Sequence, residues 1–383
     1  MLTRTYNITW EDFPGNRRII SRLTEQTPFL QRGLFFDIET TGFSAEKNAL
    51  YLIGCCRFTG RSWQITQWLA GNESPEEQRL VLESFLGQLT PGDLLISYNG
   101  STFDLTFLEK KSRQLSIQEN LTSFDHVDLY KDLRPLKNFL HLNDLKLKTV
   151  ERFLGIFRED TYSGGALIPV FKSYARTHTH AEEETLLLHN YEDIQDLLYI
   201  LPVLAYKNIF LDGQFIINGS LRIDGETPAI QWTLTGDTPL PVSLPRTSLS
   251  LAGLCSLKTP LDAVLETRDG QIFLTLPLIR EELKYFYPNY QDYYYLPQED
   301  CAIHKSVAAF VDKKFRRKAT AKNCYIKKAG EFLPQPGEKI SPAFKIHFDD
   351  RLNWFEYCAK QNFSEELHAC LQAYLRFFVL GSF

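Results

Sequence analysis

"LFFDIETTG", residues 34–42, closes an apolar run with two carboxylates, Asp37 and Glu39. In an extended chain side chains alternate, so residues two apart share a face at a separation of roughly 6–7 Å. Phe36 and Ile38 then face one way, and Phe35, Asp37 and Glu39 the other. Two carboxylates that close repel unless a proton or a cation lies between them. The Thr-Thr-Gly that follows is turn chemistry and puts the pair at a strand end.

The flanking sequence extends this strand into a sheet. "ALYLIGCCRFTGRSWQITQWLA" (49–70) reads as two strands joined in a hairpin at "TGRS". "SPEEQRLVLESFLGQL" has a Ser cap, Pro behind it, early acids and helical apolar spacing. "DLLISYNG" is a further strand, and "STFDLTFLEKK" begins a helix. Residues 125–160 alternate short helical pieces with loops, and "EEETLLLHNYEDIQDLLYILPVLAY" is a strongly apolar helix. From about 207–212 the texture changes to short strands separated by Gly, Asp, Asn and Pro. The expected organisation is an N-terminal extension (1–30), an α/β domain (31–206) and a smaller β-rich α+β domain (207–383).

Composition sets the outer bounds. At 383 residues two domains are expected, and 44% hydrophobic with 23% charged residues is ordinary for a globular chain. There is no signal-peptide pattern at the start, and no run approaches 18 uninterrupted apolar residues. The seven cysteines show no zinc spacing and read as reduced thiols, so a cytoplasmic protein without membrane contact is expected. The net charge of −5 is uneven: residues 301–383 carry +6 and the first 300 carry −11.

Three segments carry chemistry together: "FDIETTG" (Asp37, Glu39), "SYNGSTFDLTFL" (Asp104) and "LHNYEDIQDL" (His189, Asp193). His189 and Asp193 are four apart and share one helix face. Four carboxylates and an imidazole at strand ends and on helices are what a paired divalent-cation site requires. Oxygen ligands suit Mg²⁺ or Mn²⁺, and two such ions about 3.5–4 Å apart clamp the attacking and leaving oxygens of a phosphodiester displacement. The histidine then serves as the base for the attacking water. Each residue also has a plainer role: Asp104 completing a capping box with Ser101, Asp193 as an exposed helix acid, His189 as a hydrogen-bonded core imidazole.

"FDIETTG", "YNGSTFD" and "HNYED" resemble the three motifs of the DnaQ-like, DEDD-type 3′–5′ exonucleases, which have a ribonuclease-H-like fold. "HVDLYKDLRPL", "LKLKTVERFLGI" and "YSGGALIPVF" resemble its YprB-like branch more closely. The resemblance spans roughly residues 31–206. It implies a mixed five-stranded sheet flanked by helices, its first three strands antiparallel. It also implies that Asp37, Glu39, Asp104 and Asp193 hold two Mg²⁺ or Mn²⁺ ions, with Asp37 bridging both. One departure stands out. In the histidine subgroup the base precedes the last Asp by five positions, and in the tyrosine subgroup a Tyr precedes it by four. Here His189 occupies the tyrosine spacing. Tyr191 projects elsewhere, so His189 is the expected base.

The implied activity is hydrolysis of single-stranded nucleic acid, or of a free 3′ end, to nucleoside 5′-monophosphates. The alternatives are an inactive ribonuclease-H-like module that binds nucleic acid or protein, and a metal-dependent endonuclease. Asn99 and Phe103 are candidates for contact with the terminal nucleotide, and Lys146 and Lys148 for phosphate contact. In the second half, His304–Lys328 holds nine Lys or Arg against one acid. It reads as a basic helix that offers Lys313, Lys314, Arg316 and Arg317 to a nucleic-acid backbone. The cluster "YFYPNYQDYYYLP" reads either as aromatic core or as a platform for unpaired bases.

Overall fold

The computed structural model describes residues 1–9, 32–118, 121–257, 261–358 and 364–381. The chain divides into two compact units, Met1–Lys207 with Leu240–Val242, and Asn208–Pro239 with Ser243–Phe383.

The first unit is built on a mixed six-stranded sheet in the order β1-β4-β3-β2-β5-β6. Its strands are β1 (Leu2–Ile8), β2 (Gly33–Thr40), β3 (Leu50–Phe58), β4 (Trp63–Leu69), β5 (Leu94–Ser97) and β6 (Asp125–Asp128). Strands β2, β3 and β4 are antiparallel neighbours, while β5 and β6 run parallel to β2. The sheet has one strand more than expected, because Leu2–Ile8 pairs antiparallel with the outer edge of β4. That edge would otherwise present unpaired N–H and C=O groups. The start of the expected N-terminal extension is thus part of the sheet, and residues 10–30 of it lie outside the described residues.

Helices cover both faces. Helix α1 (Pro75–Leu86) starts at Ser74, whose hydroxyl accepts from the Glu77 amide, and buries Val81, Leu82 and Phe85. Phe36 of β2 packs on Phe85, ring centroids 5.5 Å apart. Helix α2 (Asp104–Gln114) follows β5; α3 (Leu147–Phe153), α4 (Gly164–Thr177) and α5 (His180–Tyr199) complete the unit. Helix α5 lies across β2, β3 and β4. The continuous helical stretch His180–Leu211 is apolar and long enough to cross a membrane by length and composition, yet most of its apolar window is buried inside the protein. Its apolarity is that of a core helix.

The second unit is β-rich. Strands β7 (Ile216–Ile223), β8 (Ala229–Thr235), β9 (Thr247–Ser250), β10 (Asp262–Arg268) and β11 (Gln271–Pro277) form a sheet in the order β7-β8-β11-β10-β9. Strands β12 (Ile279–Phe286), β16 (Tyr325–Gln335) and β17 (Asn353–Glu356) form another, and β13 (Tyr293–Leu296), β14 (Cys301–His304) and β15 (Arg317–Lys318) a third. Helix α6 (Glu365–Leu380) closes the chain behind a Ser364 cap.

The expected basic helix does not form. Only Lys305–Ala308 is α-helical, and Arg317–Lys318 instead pairs with Tyr294 and Tyr295. A helix this short survives on a buried face, and this segment has little to bury: Val307 is 57% and Phe310 91% exposed. Lys313, Lys314, Arg316 and Arg317 are therefore spread over a turn and a sheet edge. The aromatic cluster resolves toward core. Tyr287 stacks on Tyr293 at 4.4 Å, and both pack with Tyr290 and Tyr295 against Ala302, Ala319 and Cys324.

Candidate active site

The site forms where β2, the start of α2 and the middle of α5 meet. The alternation of β2 places Phe36 and Ile38 in the hydrophobic core and turns Asp37 and Glu39 to the opposite side, toward α5. The pairing of β2 with β3 shifts register between Glu39 and Thr40. Such an irregularity re-aims a side chain at a strand end.

Asp37 stands opposite Gly54 on β3, which stands opposite Gln67 on β4. The Asn190 side chain from α5 lies over this row. It donates to Asp37 Oδ2 at 3.2 Å and accepts from Gln67 Nε2 at 2.8 Å. Gln67 Nε2 also donates to the Leu187 carbonyl at 3.0 Å, so helix and sheet are joined by one polar chain. Only glycine fits beneath it: a Cβ at Gly54 would meet Asn190 Oδ1 at 2.1 Å and Ile194 Cγ1 at 3.0 Å. Gly54→Ala is therefore expected to cost about 1–3 kcal/mol by overpacking and to displace Asn190. A lowered urea midpoint checks this.

Asp104 is the first residue of α2, and its helix N-cap is Phe103 without a side-chain cap bond. The capping box is absent because Ser101 is turned to another partner. Asp128, at the end of β6, accepts from the Asn99 amide at 2.8 Å, from the Ser101 amide at 3.2 Å and from the Ser101 hydroxyl. Asn99 sits at φ +63°, a left-handed conformation that Asn tolerates better than most residues. Asp128 thus ties down the turn that delivers Asp104. The Asp104 carboxylate is buried.

From α5, His189 and Asp193 face β2. His189 Nε2 lies 3.3 Å from Glu39 Oε1 and 3.4 Å from Asp193 Oδ2. The ligating atoms of Glu39, His189 and Asp193 all lie within 4.8 Å of one another. Tyr51 donates to Glu39 Oε2 at 3.3 Å. Tyr191 points to another face and packs edge-on against Tyr6 at 5.0 Å, which removes it from the acids.

The electrostatics follow from burying like charges together. Burial, then Asp193, Asp104 and Glu39, push Asp37 well above the usual carboxylate range, against the lowering effect of Asn190. Burial carries Glu39 up to about 7, offset in part by His189. Burial likewise raises Asp104 to about 7. The five residues singled out in the sequence therefore come together as one electrostatically linked cluster.

Behind them stands a set that sequence motifs did not reveal. Arg158, its side chain 4% exposed, pairs with Glu151, with Asp193 and, at 2.9 Å, with Asp196. Glu192 accepts from the amides of Glu159 and Asp160 at 2.8 and 2.9 Å and so fastens this loop to α5. Of the other candidates, Phe103 packs between Phe107 and the exposed ring of Phe43. Lys146 is exposed at the start of α3. Lys148 is engaged by Asp160 at 2.9 Å and the Tyr162 carbonyl at 2.6 Å. Lys313, Lys314, Arg316 and Arg317 belong to the second unit, where Arg316 lies over the Tyr294 ring at 4.8 Å.

A family model of the RNase H superfamily (RNase_H_2) matches residues 34–205. No curated protein matches the chain. Among solved structures, E. coli Exonuclease I with a 5cy-dA13 oligonucleotide aligns at 13% identity, over 43% of this chain and 44% of that chain, TM-score 0.27. The zinc-bound E. coli ExoI–ssDNA complex aligns at 11% identity, over 53% and 54%, TM-score 0.28. The chain spans about half the length of these structures. Residues 34–205 form a mixed α/β domain of ribonuclease-H-like fold.

Proposed function

We propose that the first unit is a metal-dependent 3′–5′ exonuclease of the DEDD type, in the YprB-like branch, that converts single-stranded nucleic acid to nucleoside 5′-monophosphates. The observation that supports this most is the meeting of Glu39, His189 and Asp193 within ligating distance, with Asp37 and Asp104 near enough that burial and the neighbouring acids push their carboxyls up. Such a set is relieved by a cation, and its oxygen donors fit hard divalent ions. Asp37, Glu39, Asp104 and Asp193 would hold two Mg²⁺ or Mn²⁺, which supply Lewis-acid stabilisation of charge on the phosphate. His189 takes the proton of the attacking water at Nε2. Asn190 holds Asp37 in place, and Asp128 holds the turn bearing Asp104. Asn99 and Phe103, on that turn, are candidates to meet the terminal nucleotide, and Lys313, Lys314, Arg316 and Arg317 of the second unit are candidates to meet backbone phosphates.

A 5′-labelled single strand, offered as RNA and as DNA with Mn²⁺ or Mg²⁺, tests the reading. A ladder shortening from the 3′ end supports it. Internal fragments would replace it with endonuclease action, and binding without cleavage with a binding module. The pH dependence has a definite sign. Glu39 and Asp104, raised to about 7, must shed protons before they ligate, and protons compete with the ion below that value. Mn²⁺ affinity is expected to rise with pH up to about 7–8 and to fall steeply on acidification. Isothermal titration at several pH values reads this directly, and a flat profile would contradict it.

A further inference from the structure

His189 has a second nitrogen, and its partner is built as carefully as the site itself. Nδ1 lies 2.7 Å from Asp160 Oδ2. The Asp160 side chain is 2% exposed. It is gripped from three directions: by His189, by Lys148 Nζ on the same oxygen at 2.9 Å, and by the Tyr162 amide on Oδ1 at 2.9 Å. Lys148 in turn donates to the Tyr162 carbonyl, so cation, carboxylate and loop backbone close on one another. The loop is fastened to α5 through Glu192, one turn from His189.

We infer that Asp160, held by Lys148, is a positioning residue that fixes His189 in the Nδ1–H tautomer and so turns a bare Nε2 toward Glu39 and Asp193. This rests on the reading of His189 as the base. The chemistry is elementary. An ionised carboxylate only accepts hydrogen bonds, so the proton of this contact resides on Nδ1. Burial alone would raise Asp160, but the bonds from Lys148, the Tyr162 amide and His189 outweigh it and keep the carboxyl below its ordinary value. In the neutral ring the other nitrogen then carries a lone pair, which a general base needs. The same arrangement gives the four-residue spacing of His189 to Asp193 a function. At this position the ring sits within the cluster, between the acids on one side and Asp160 on the other, and its orientation is set by the loop behind it. It also reassigns Lys148, which grips Asp160 rather than phosphate.

The test uses the full chain labelled with ¹⁵N-histidine, at about pH 8, with His189→Gln to assign the ring. Long-range ¹H–¹⁵N correlation should find His189 protonated at Nδ1 and bare at Nε2; a ring protonated at both nitrogens overturns the inference. In Asp160→Asn the amide can donate to Nδ1, and the ring should switch to the Nε2–H form. Turnover should fall about 10²–10⁴-fold with Mn²⁺ affinity changed less than about threefold, since no proposed ligand is touched. Lys148→Met, which leaves the carboxylate in place, should keep the tautomer and lose turnover about tenfold or less. An Nε2–H tautomer in the wild type, or an Asp160→Asn protein with unchanged tautomer or unchanged turnover, overturns the inference. Should Asp160→Asn fail to fold, the wild-type spectrum and Lys148→Met still decide it. The spectra need no catalysis, so a protein that cuts nothing would refute the nuclease reading while the tautomer is judged separately.

Discussion

Replacing Arg158 by alanine is expected to cost about 3–5 kcal/mol of stability, the penalty for stripping a buried ion network of the guanidinium that joins its carboxylates. Arg158 is almost wholly enclosed and faces Glu151, Asp193 and Asp196. Two of those carboxyls already strain against burial. Glu151 is raised by desolvation against the pull of Arg158, and Asp196 is carried up to about 8 by burial first and by Glu151 next. Without the guanidinium Glu151 and Asp196 lose their counter-charge, so their folded-state values rise further above those of the unfolded chain. The sign of the pH dependence follows. Protons bind the folded variant more tightly than the unfolded one, so its deficit is smallest at acid pH and grows as pH rises. Arg158→Lys restores the charge but not the fork that reaches several carboxylates, and should recover only part of the loss. The measurement is the urea midpoint of hydrogen exchange in peptides covering residues 180–199. A loss below about 1 kcal/mol at neutral pH would mean that the network is worth no more than a surface pair.

Arg158 also marks where the sequence stopped being legible. Strand β2, the 49–70 hairpin, α1 and α5 could all be read because each carries its own period or cap: alternation in "LFFDIE", Ser-Pro ahead of an acidic turn, an apolar stripe with early glutamates. Asp37, Glu39, Asp104, His189 and Asp193 could be singled out because they stand in short motifs at strand ends or on one helix face. Arg158 and Asp160 come from a loop with no period, and their partners lie on α3 and α5, far apart in the chain. Asp128 and Asn190 were within quoted motifs, yet their roles depend on neighbours brought in by the sheet: the 98–101 turn for one, Gly54 and Gln67 for the other. The sixth strand carries no such signal, because Leu2–Ile8 is polar at most positions, being an edge strand with few residues to bury. The basic segment failed in the opposite way. Charge density suggested a helix, but charge gives no buried face, and the segment folded as a turn and a sheet edge.

Asp37→Asn is expected to abolish hydrolysis, by at least about 10³-fold, while making the metal-free protein more stable by about 0.5–2 kcal/mol. The two effects have one cause. Asp37 lies among Glu39, Asp104 and Asp193, and both burial and their charges oppose its ionisation. An amide of nearly the same shape keeps the contact by presenting its oxygen to Asn190 Nδ2, which leaves the Gln67–Asn190 bond intact, and removes one of the repelling charges. Because the folded-state value of Asp37 stands above that of the unfolded chain, the wild type loses stability as pH rises from the ordinary carboxylate range through the folded value. The asparagine variant has no such loss, so its advantage should be small near pH 4 and grow as pH rises through the folded-state value of Asp37. Mn²⁺ should reverse the order. An ion that binds only the folded state stabilises it by mass action, and the wild type gains this while the variant gains little. Thermal unfolding of both proteins, in EDTA and in excess Mn²⁺, gives four midpoints. A crossing of wild type and variant between the two conditions means that the carboxylates are spaced for cations and destabilise the fold in their absence. A wild type that is the more stable protein in EDTA means that Asp37 serves the fold rather than an ion, and the catalytic reading of the cluster fails with it.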